Sequence, residues 1–140
     1  MIRSILCQLT VLSVTLSLIC PALSQESSPI SIRATALTEE FAKDEKATTK
    51  KYGNQNMIVT GIIVKTAAST KSSAGEVWLT GHNEKDKNPI RVRCFFPSTQ
   101  DEKVKKLKVG ATVTIQGIFY PFNSSLAEGT VSLRTCAVED

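Results

Sequence analysis

Polar and apolar residues alternate along two neighbouring stretches near the middle of the chain, EVWLT and IRVRCFF. Successive side chains of a strand point to opposite faces, so the alternation predicts two strands, Glu76–Thr80 and Ile90–Phe96. The polar segment His82–Asn88 between them predicts a hairpin. One face of the hairpin would carry the inward-pointing residues Val77, Leu79, Ile90, Val92, Cys94 and Phe96. The opposite face would carry Trp78, Arg91, Arg93 and Phe95, an aromatic and basic set that raises the question of a ligand.

Three further segments are rich in β-branched residues and predict strands. They are Asn56–Lys65, Val113–Phe119 and Thr130–Val138. Gly61 interrupts the first of them, and a glycine within a strand predicts a bulge or a sharp bend. In the last strand the apolar residues change parity between Leu133 and Cys136. All of them can point inward only if a bulge lies near Arg134 and Thr135.

The segment Ala36–Tyr52 has a different period. Leu37, Phe41 and Thr48 recur near helical spacing, Thr38 is a candidate cap, and a glycine follows the last turn. This pattern predicts one N-terminal helix of about four turns.

A short second helix is predicted over Pro97–Gly110. Either Ser98 with Asp101 or Thr99 with Glu102 would form a capping box at its start, and the terminal glycine would end it. The lysines of this segment surround one narrow apolar stripe, so we interpret them as a solvated face rather than an anion site.

The predicted order is a helix, three strands, a helix and two strands, which is the layout of an OB-fold. The fold class is therefore mainly β: a five-stranded OB-fold barrel with an N-terminal helix and a short helix between strands 3 and 4.

Residues 1–24 have the features of a secretory signal peptide: Arg3, then an apolar stretch, then Ala22-Leu23-Ser24 before Gln25. The apolar stretch is shorter than the ~20 residues that span a bilayer. We therefore expect an exported protein, periplasmic or secreted, without a transmembrane segment after cleavage. Lipid anchoring at Cys20 is the disfavoured alternative, because no small residue directly precedes this cysteine.

The rest of the chain predicts one domain. Residues 25–34 are Ser-rich and are expected to form a flexible lead-in, and residues 35–140 form the OB-fold domain. Without the leader, 116 residues remain with a net charge of +3. A mildly basic domain permits contact with phosphates or anionic glycans but does not require it.

Two cysteines, Cys94 and Cys136, remain after removal of the leader. An even pair in an oxidising compartment favours a disulfide, which would stabilise the fold by roughly 4 kcal/mol. The alternative is two separately buried thiols. A metal site is disfavoured, because two cysteines and one distant histidine do not supply four ligands at a recognised spacing.

The chain also resembles a known family. The resemblance rests on an N-terminal helix with Leu37, Phe41, Ala47 and Tyr52 and on four strand motifs. The motifs are Val59-Thr60-Gly61-x-Ile63, Val92-x-Cys94-Phe95, Leu107-x-x-Gly110-x-x-Val113-x-Ile115-x-Gly117 and Val131-x-Leu133-x-x-Cys136-x-Val138. Together they are similar to the tRNA_anti-like group of exported bacterial OB-fold proteins, over Thr35 to Asp140. The resemblance implies an OB-fold and export. Many relatives carry a lipidation box where this chain has Cys20 without one.

The sequence contains no recognisable set of catalytic residues. His82 is the single histidine, it lies in a polar loop, and nothing in the sequence pairs it with an activated nucleophile. No glycine-rich phosphate loop is present. We therefore expect a protein that is not an enzyme and that needs no cofactor or metal.

The aromatic and basic face predicts a binding module. In OB-folds the face of strands 2 and 3 and its flanking loops bind oligonucleotides and oligosaccharides. The predicted site residues are Trp78, Arg91, Arg93, Phe95, Tyr120 and Phe122. The ligand would be an oligosaccharide, a nucleic acid or another anionic molecule.

Two alternatives stay open at this point. The N-terminal helix could cover Trp78 and Phe95 through Phe41 or Tyr52. The face could instead bind another protein of the cell envelope, without any small ligand.

Overall fold

A computed structural model of the chain describes residues 27–121 and 130–140. The strands of this part are β1 (Ile30–Arg33), β2 (Asn56–Ala67), β3 (Gly75–Leu79), β4 (Arg91–Phe96), β5 (Thr112–Tyr120) and β6 (Thr130–Val138). The helices are α1 (Ala34–Lys43), α2 (Glu45–Tyr52) and α3 (Asp101–Lys106), and a 3₁₀ turn over Ser98–Gln100 leads into α3.

Five of the strands close into a barrel because β2 pairs with two neighbours. Its first half runs antiparallel to β5 and its second half antiparallel to β3. The circuit continues through antiparallel β3 and β4, parallel β4 and β6, and antiparallel β6 and β5. A closed five-stranded barrel with this order and a helix between its third and fourth strands is an OB-fold, so the predicted fold class is confirmed.

The irregularity of β2 lies two residues later than the glycine that predicted it. Gly61 pairs regularly with Val113 on β5, and the register shifts between Ile63 and Lys65. Gly61 has another role, since a Cβ there would stand 2.8 Å from the Cβ of Ala34. The missing side chain therefore lets the start of α1 pack directly on β2.

The core fills the barrel with inward-pointing residues of the five barrel strands. The hairpin residues predicted to point inward are buried, except that Ile90 is partly buried against the core. The largest buried side chains are Phe96, Phe119, Leu37, Met57, Ile63, Leu79, Ile115 and Leu133. Leu37 comes from α1, so this helix contributes to the same core as the strands.

The predicted bulge in β6 is confirmed. Gln116 pairs with Ala137, but Ile118 pairs with Arg134, so β6 contains an extra residue at this point. Thr135 has a φ of +53°, in the left-handed region. The extra residue changes the parity of the strand, and Cys136 points inward with 1% exposure.

The N-terminal helix prediction was wrong in one respect, because two helices replace one. Asp44 breaks the run with an extended φ of −156°, and its carboxylate accepts a hydrogen bond from the Ala47 amide at 2.9 Å. Asp44 therefore caps α2. Thr38 is not a cap, since it lies buried within α1 and donates its hydroxyl to the carbonyl of Ala34.

Two other expectations differ from the structure. Ile30–Arg33, within the predicted flexible lead-in, forms β1 and pairs in parallel with Met57–Thr60 of β2. The short helix ends earlier than predicted, at Lys106, and neither its 3₁₀ turn nor α3 has a side-chain capping hydrogen bond, so no capping box forms. The acidic pair Asp101 and Glu102 still lies in the first turn of α3.

We expect Gly61→Ala to lower the free energy of unfolding by about 1–3 kcal/mol, because the added methyl group would overlap Ala34 and crowd Leu79. Urea unfolding followed by circular dichroism would measure the loss. Ile62→Val is the matched control, since Ile62 is the next residue of the strand and is 47% exposed. Its effect should stay within about 0.5 kcal/mol. Equal stabilities for Gly61→Ala and wild type would contradict the close packing of α1 on β2.

Candidate ligand-binding face

A continuous row of cross-strand neighbours runs from β2 to β5. Lys65 of β2 lies opposite Trp78 of β3, and Trp78 lies opposite Arg93 of β4. Arg93 in turn lies opposite Ser132 of β6, which is paired with Tyr120 of β5. Residues directly opposite each other in neighbouring strands share a face of the sheet. The row is therefore fixed by the strand register.

The guanidinium group of Arg93 lies between two aromatic rings. Its central carbon is 5.0 Å from the centroid of the Trp78 ring and 4.6 Å from that of the Phe95 ring. The ammonium group of Lys65 stands 5.7 Å from the Trp78 centroid. These distances allow cation–π attraction, which orders the aromatic side chains. We call Lys65, Trp78, Arg93 and Phe95 the stacked cluster.

Glu76, which the sequence reasoning missed, completes the cluster. Arg93 donates to both carboxylate oxygens, at 3.1 Å from Nε and 2.7 Å from Nη2, and the Trp78 indole N–H donates at 3.2 Å. The hydrogen bonds from Arg93 hold the pKa of Glu76 below its usual value, so it remains a carboxylate at neutral pH. Glu76 could have been found from sequence, since it shares the parity of Trp78 in the strand.

Arg91 belongs to a separate ion pair. It donates to Glu84 from Nε at 3.0 Å and from Nη2 at 2.8 Å. The same carboxylate accepts from the backbone amide of Gly81 at 3.0 Å, which ties the hairpin loop to β4. The hydrogen bonds from Arg91 lower the pKa of Glu84. Arg91 therefore stabilises the loop and is not part of the stacked cluster.

Tyr120 lies at the end of the row. It is the last residue of β5 rather than the first of a loop, and the guanidinium carbon of Arg134 is 4.5 Å from its ring centroid. Phe122, the remaining predicted site residue, lies outside the described residues.

The aromatic residues of the helices pack elsewhere on the barrel. The Tyr52 ring is tilted against Phe119 of β5 at 6.1 Å, and its hydroxyl donates to Glu40. Phe41 lines a cleft of about 70 Å³ together with Phe119. Trp78 and Phe95 are left half-buried, so part of each ring is accessible to a ligand.

The single histidine lies in a contact between the hairpin loop and α1. His82 donates its backbone amide to the Thr38 hydroxyl at 2.7 Å, which joins the hairpin loop to α1.

Cys94 and Cys136 are free, buried thiols, and the hydrogen bond between them together with burial raises the pKa of Cys94 well above its usual value. A thiol held protonated is a poor nucleophile. The predicted disulfide stays a prediction.

Within residues 27–121 and 130–140, no three His, Cys, Asp or Glu side chains are grouped closely enough to hold a metal ion. The same part of the chain contains no helix that is long and apolar enough to cross a membrane.

The closed barrel and its strand order define an OB-fold protein. The chain belongs to the tRNA_anti-like family, because the sequence model of that family matches residues 10–137. The resemblance on which the sequence-based assignment rested is thereby confirmed. No curated protein matches the chain.

Three solved structures resemble the fold. A "putative nucleic acid-binding lipoprotein" from Klebsiella pneumoniae is 19% identical, with a TM-score of 0.59 over 79% of this chain and 92% of that one. A "putative aspartyl-tRNA synthetase" from Leishmania major is 9% identical, with a TM-score of 0.47 over 83% of this chain and 22% of that one. A chain from the yeast Stn1 and Ten1 structure is 9% identical, with a TM-score of 0.41 over 84% and 66%. At these identities the similarity concerns the fold alone.

We expect the free energy of unfolding of Glu76→Gln to fall less steeply with decreasing pH than that of wild type. The folded-state pKa of Glu76 is lowered, so its carboxylate stabilises the fold above the unfolded-state value of about 4.3. That contribution is lost as the pH falls through the lower folded-state pKa. Urea midpoints measured from neutral pH down to acid should therefore fall more steeply for wild type than for Glu76→Gln.

The matched control is Glu102→Gln. Glu102 pairs with Lys105 on the exposed surface of α3, where solvent and salt screen the pair. Its profile should run parallel to that of wild type. Parallel profiles for wild type and Glu76→Gln would instead show that the Glu76 pair contributes nothing to the fold.

Proposed function

We propose that this chain is an exported, non-catalytic OB-fold binding module that binds its ligand on the outer face of β3 and β4. The ligand is an oligonucleotide, an oligosaccharide or another anionic molecule with stackable rings. The observation that carries the proposal is the stacked cluster, in which Arg93 lies between two half-buried aromatic rings.

Preorganised rings suit a ligand that stacks. A base or sugar ring that packs on Trp78 or Phe95 meets a side chain already ordered by its cationic neighbour, so little rotamer entropy is lost on binding. Stacking of one base on an aromatic side chain contributes about 1–3 kcal/mol. The face also corresponds to strands 2 and 3 of the OB-fold, the usual binding surface of this fold.

Lys65 is the cation that we expect an anionic ligand to meet first. Arg91 and Arg93 are each paired with a glutamate, whereas Lys65 forms no salt bridge within the described residues. A phosphate or carboxylate could form an ion pair with the Lys65 ammonium group without breaking a salt bridge, next to the Trp78 ring that this group already faces. We therefore expect a weak salt dependence, equivalent to about one released counterion.

The loop between β2 and β3 borders this face. Ser69 donates its hydroxyl to Asp101 at the start of α3, and Thr70 accepts from the backbone amide of Ser73 at 3.1 Å. The first contact ties the loop to α3, and the second stabilises a turn within the loop. Lys71 lies exposed within this loop.

Export is the remaining part of the proposal, and it rests on the leader features of residues 1–24. The Klebsiella protein of similar fold is described as a putative nucleic acid-binding lipoprotein. The proposal extends this combination to the present chain.

A protein-interaction role in the cell envelope is the second candidate. It is favoured by the pairing of both face arginines with glutamates, which leaves the face less positive than the sequence indicates. Neutral aromatic surfaces with charged margins serve protein partners as well as small ligands.

The single tryptophan of the chain is the reporter for the test. We would titrate the protein with single-stranded oligonucleotides, cell-wall glycan fragments and anionic polysaccharides at low and moderate salt, and follow the fluorescence of Trp78. A saturable change with one ligand class is expected. Phe95→Ala should weaken the binding at least about 5-fold, as expected for loss of one stacked ring.

Lys46→Ala is the matched control, because Lys46 is an exposed cation on α2, a helix that packs on Phe119 through Tyr52 rather than on the stacked cluster. It should leave the affinity unchanged, whereas Lys65→Ala should weaken it and reduce its salt dependence. No saturable change with any class, or equal affinities for Phe95→Ala and wild type, would contradict the proposal. The face would then be assigned to a protein partner.

A further inference from the structure

The two thiols of the barrel core belong to neighbouring strands, although they are far apart in the sequence. Cys94 is on β4 and is paired with Leu133 of β6, three residues before Cys136. Both sulfur-bearing residues are buried, with exposures of 0% and 1%, and Cys136 is close enough to Cys94 to be the main cause of the raised pKa of that thiol. The strands that carry them are parallel neighbours in the closed barrel.

Two local features place the Cys136 sulfur inside the barrel. The bulge with its left-handed Thr135 turns Cys136 inward, where a regular strand would have turned it outward. On the opposite strand, a Cβ at Gly117 would stand 2.8 Å from the Cys136 Sγ. The sulfur therefore occupies the space that a side chain at this position of β5 would need.

We propose that Cys94 and Cys136 form a buried disulfide that links β4 to β6, and that the bond forms while the chain folds, before the barrel closes. The inference is independent of the proposed ligand. It rests on the proposed export only for the oxidising compartment.

The chemistry is a thiol–disulfide exchange. The two thiols lose two protons and two electrons as the Cys94 Sγ–Cys136 Sγ bond forms, and a disulfide-bonded oxidant accepts them and is reduced to two thiols. Oxidised glutathione is such an oxidant in vitro and yields two molecules of reduced glutathione.

Burial sets the order of events. Exchange requires a thiolate that can reach the oxidant, and neither condition is met in the closed barrel, where both residues are buried and the pKa of Cys94 is raised. In the unfolded chain both thiols are accessible. The bond should therefore form readily during refolding and very slowly in the folded, reduced protein.

The test uses the full chain, denatured and reduced, then refolded with a glutathione redox mixture. Free thiols are alkylated in denaturant and the protein is digested with trypsin. The proposal predicts that the peptide Cys94–Lys103 is recovered linked to the peptide Thr135–Asp140 in mass spectrometry. The leader cysteines lie together on a different tryptic peptide, Ser4–Arg33, so mispairing is recognisable. Separate alkylated peptides, or a link to Ser4–Arg33, would overturn the proposal.

The second measurement compares thermal unfolding of oxidised and reduced wild type. We expect the oxidised form to have a Tm higher by roughly 10–20 °C, from the loop of about 43 residues that the bond closes. The double variant Cys94→Ala/Cys136→Ala should show no dependence on redox state. Equal Tm values for the two wild-type forms would contradict a stabilising bond.

The third measurement addresses timing. Folded, reduced protein incubated with oxidised glutathione should keep both thiols for hours, whereas the same mixture should oxidise the refolding chain within the time of folding. Rapid oxidation of the folded protein would overturn formation before closure. None of these readouts involves a ligand, so their failure would be distinguishable from failure of the proposed binding function.

Discussion

The double pairing of β2 is the constraint on which the structure depends. This strand of twelve residues pairs with β5 through its first half and with β3 through its second half. The register shift after Ile63 lets the strand turn from one partner to the other. Without it the sheet would stay open, and the core residues of β2 and β5 would not face those of β3 and β4. Gly61, just before the shift, admits the start of α1 to the same part of the barrel.

The outer face is a consequence of that closure. The strand register brings Lys65 beside Trp78 and Trp78 beside Arg93, although these residues are far apart along the chain. Glu76 holds Arg93 in a fixed orientation between the two rings. The resulting surface is ordered before any ligand arrives. It is also partly neutralised, so stacking rather than charge is expected to supply most of the affinity.

Much of the barrel could be predicted because alternation and parity are local properties of the sequence. The hairpin of β3 and β4 and the bulge near Thr135 followed from residues two to five positions apart. Features that depend on distant partners were missed. β1 is four residues long and acquires its structure from pairing with β2. Lys65 and Glu84 join the aromatic and basic residues only through cross-strand or loop contacts. The break at Asp44 separates two helices whose combined pattern resembles one.

The most direct test of the binding face is a two-dimensional ¹H–¹⁵N spectrum of the protein with and without a short single-stranded oligonucleotide. The indole N–H of Trp78 gives a single resolvable signal, because the chain has one tryptophan. We expect this signal and the Nε–H signal of Arg93 to shift progressively with ligand, while backbone signals of core residues such as Leu133 do not. Shifts confined to other surfaces of the barrel, or no shifts with oligonucleotide, glycan or polysaccharide, would contradict it.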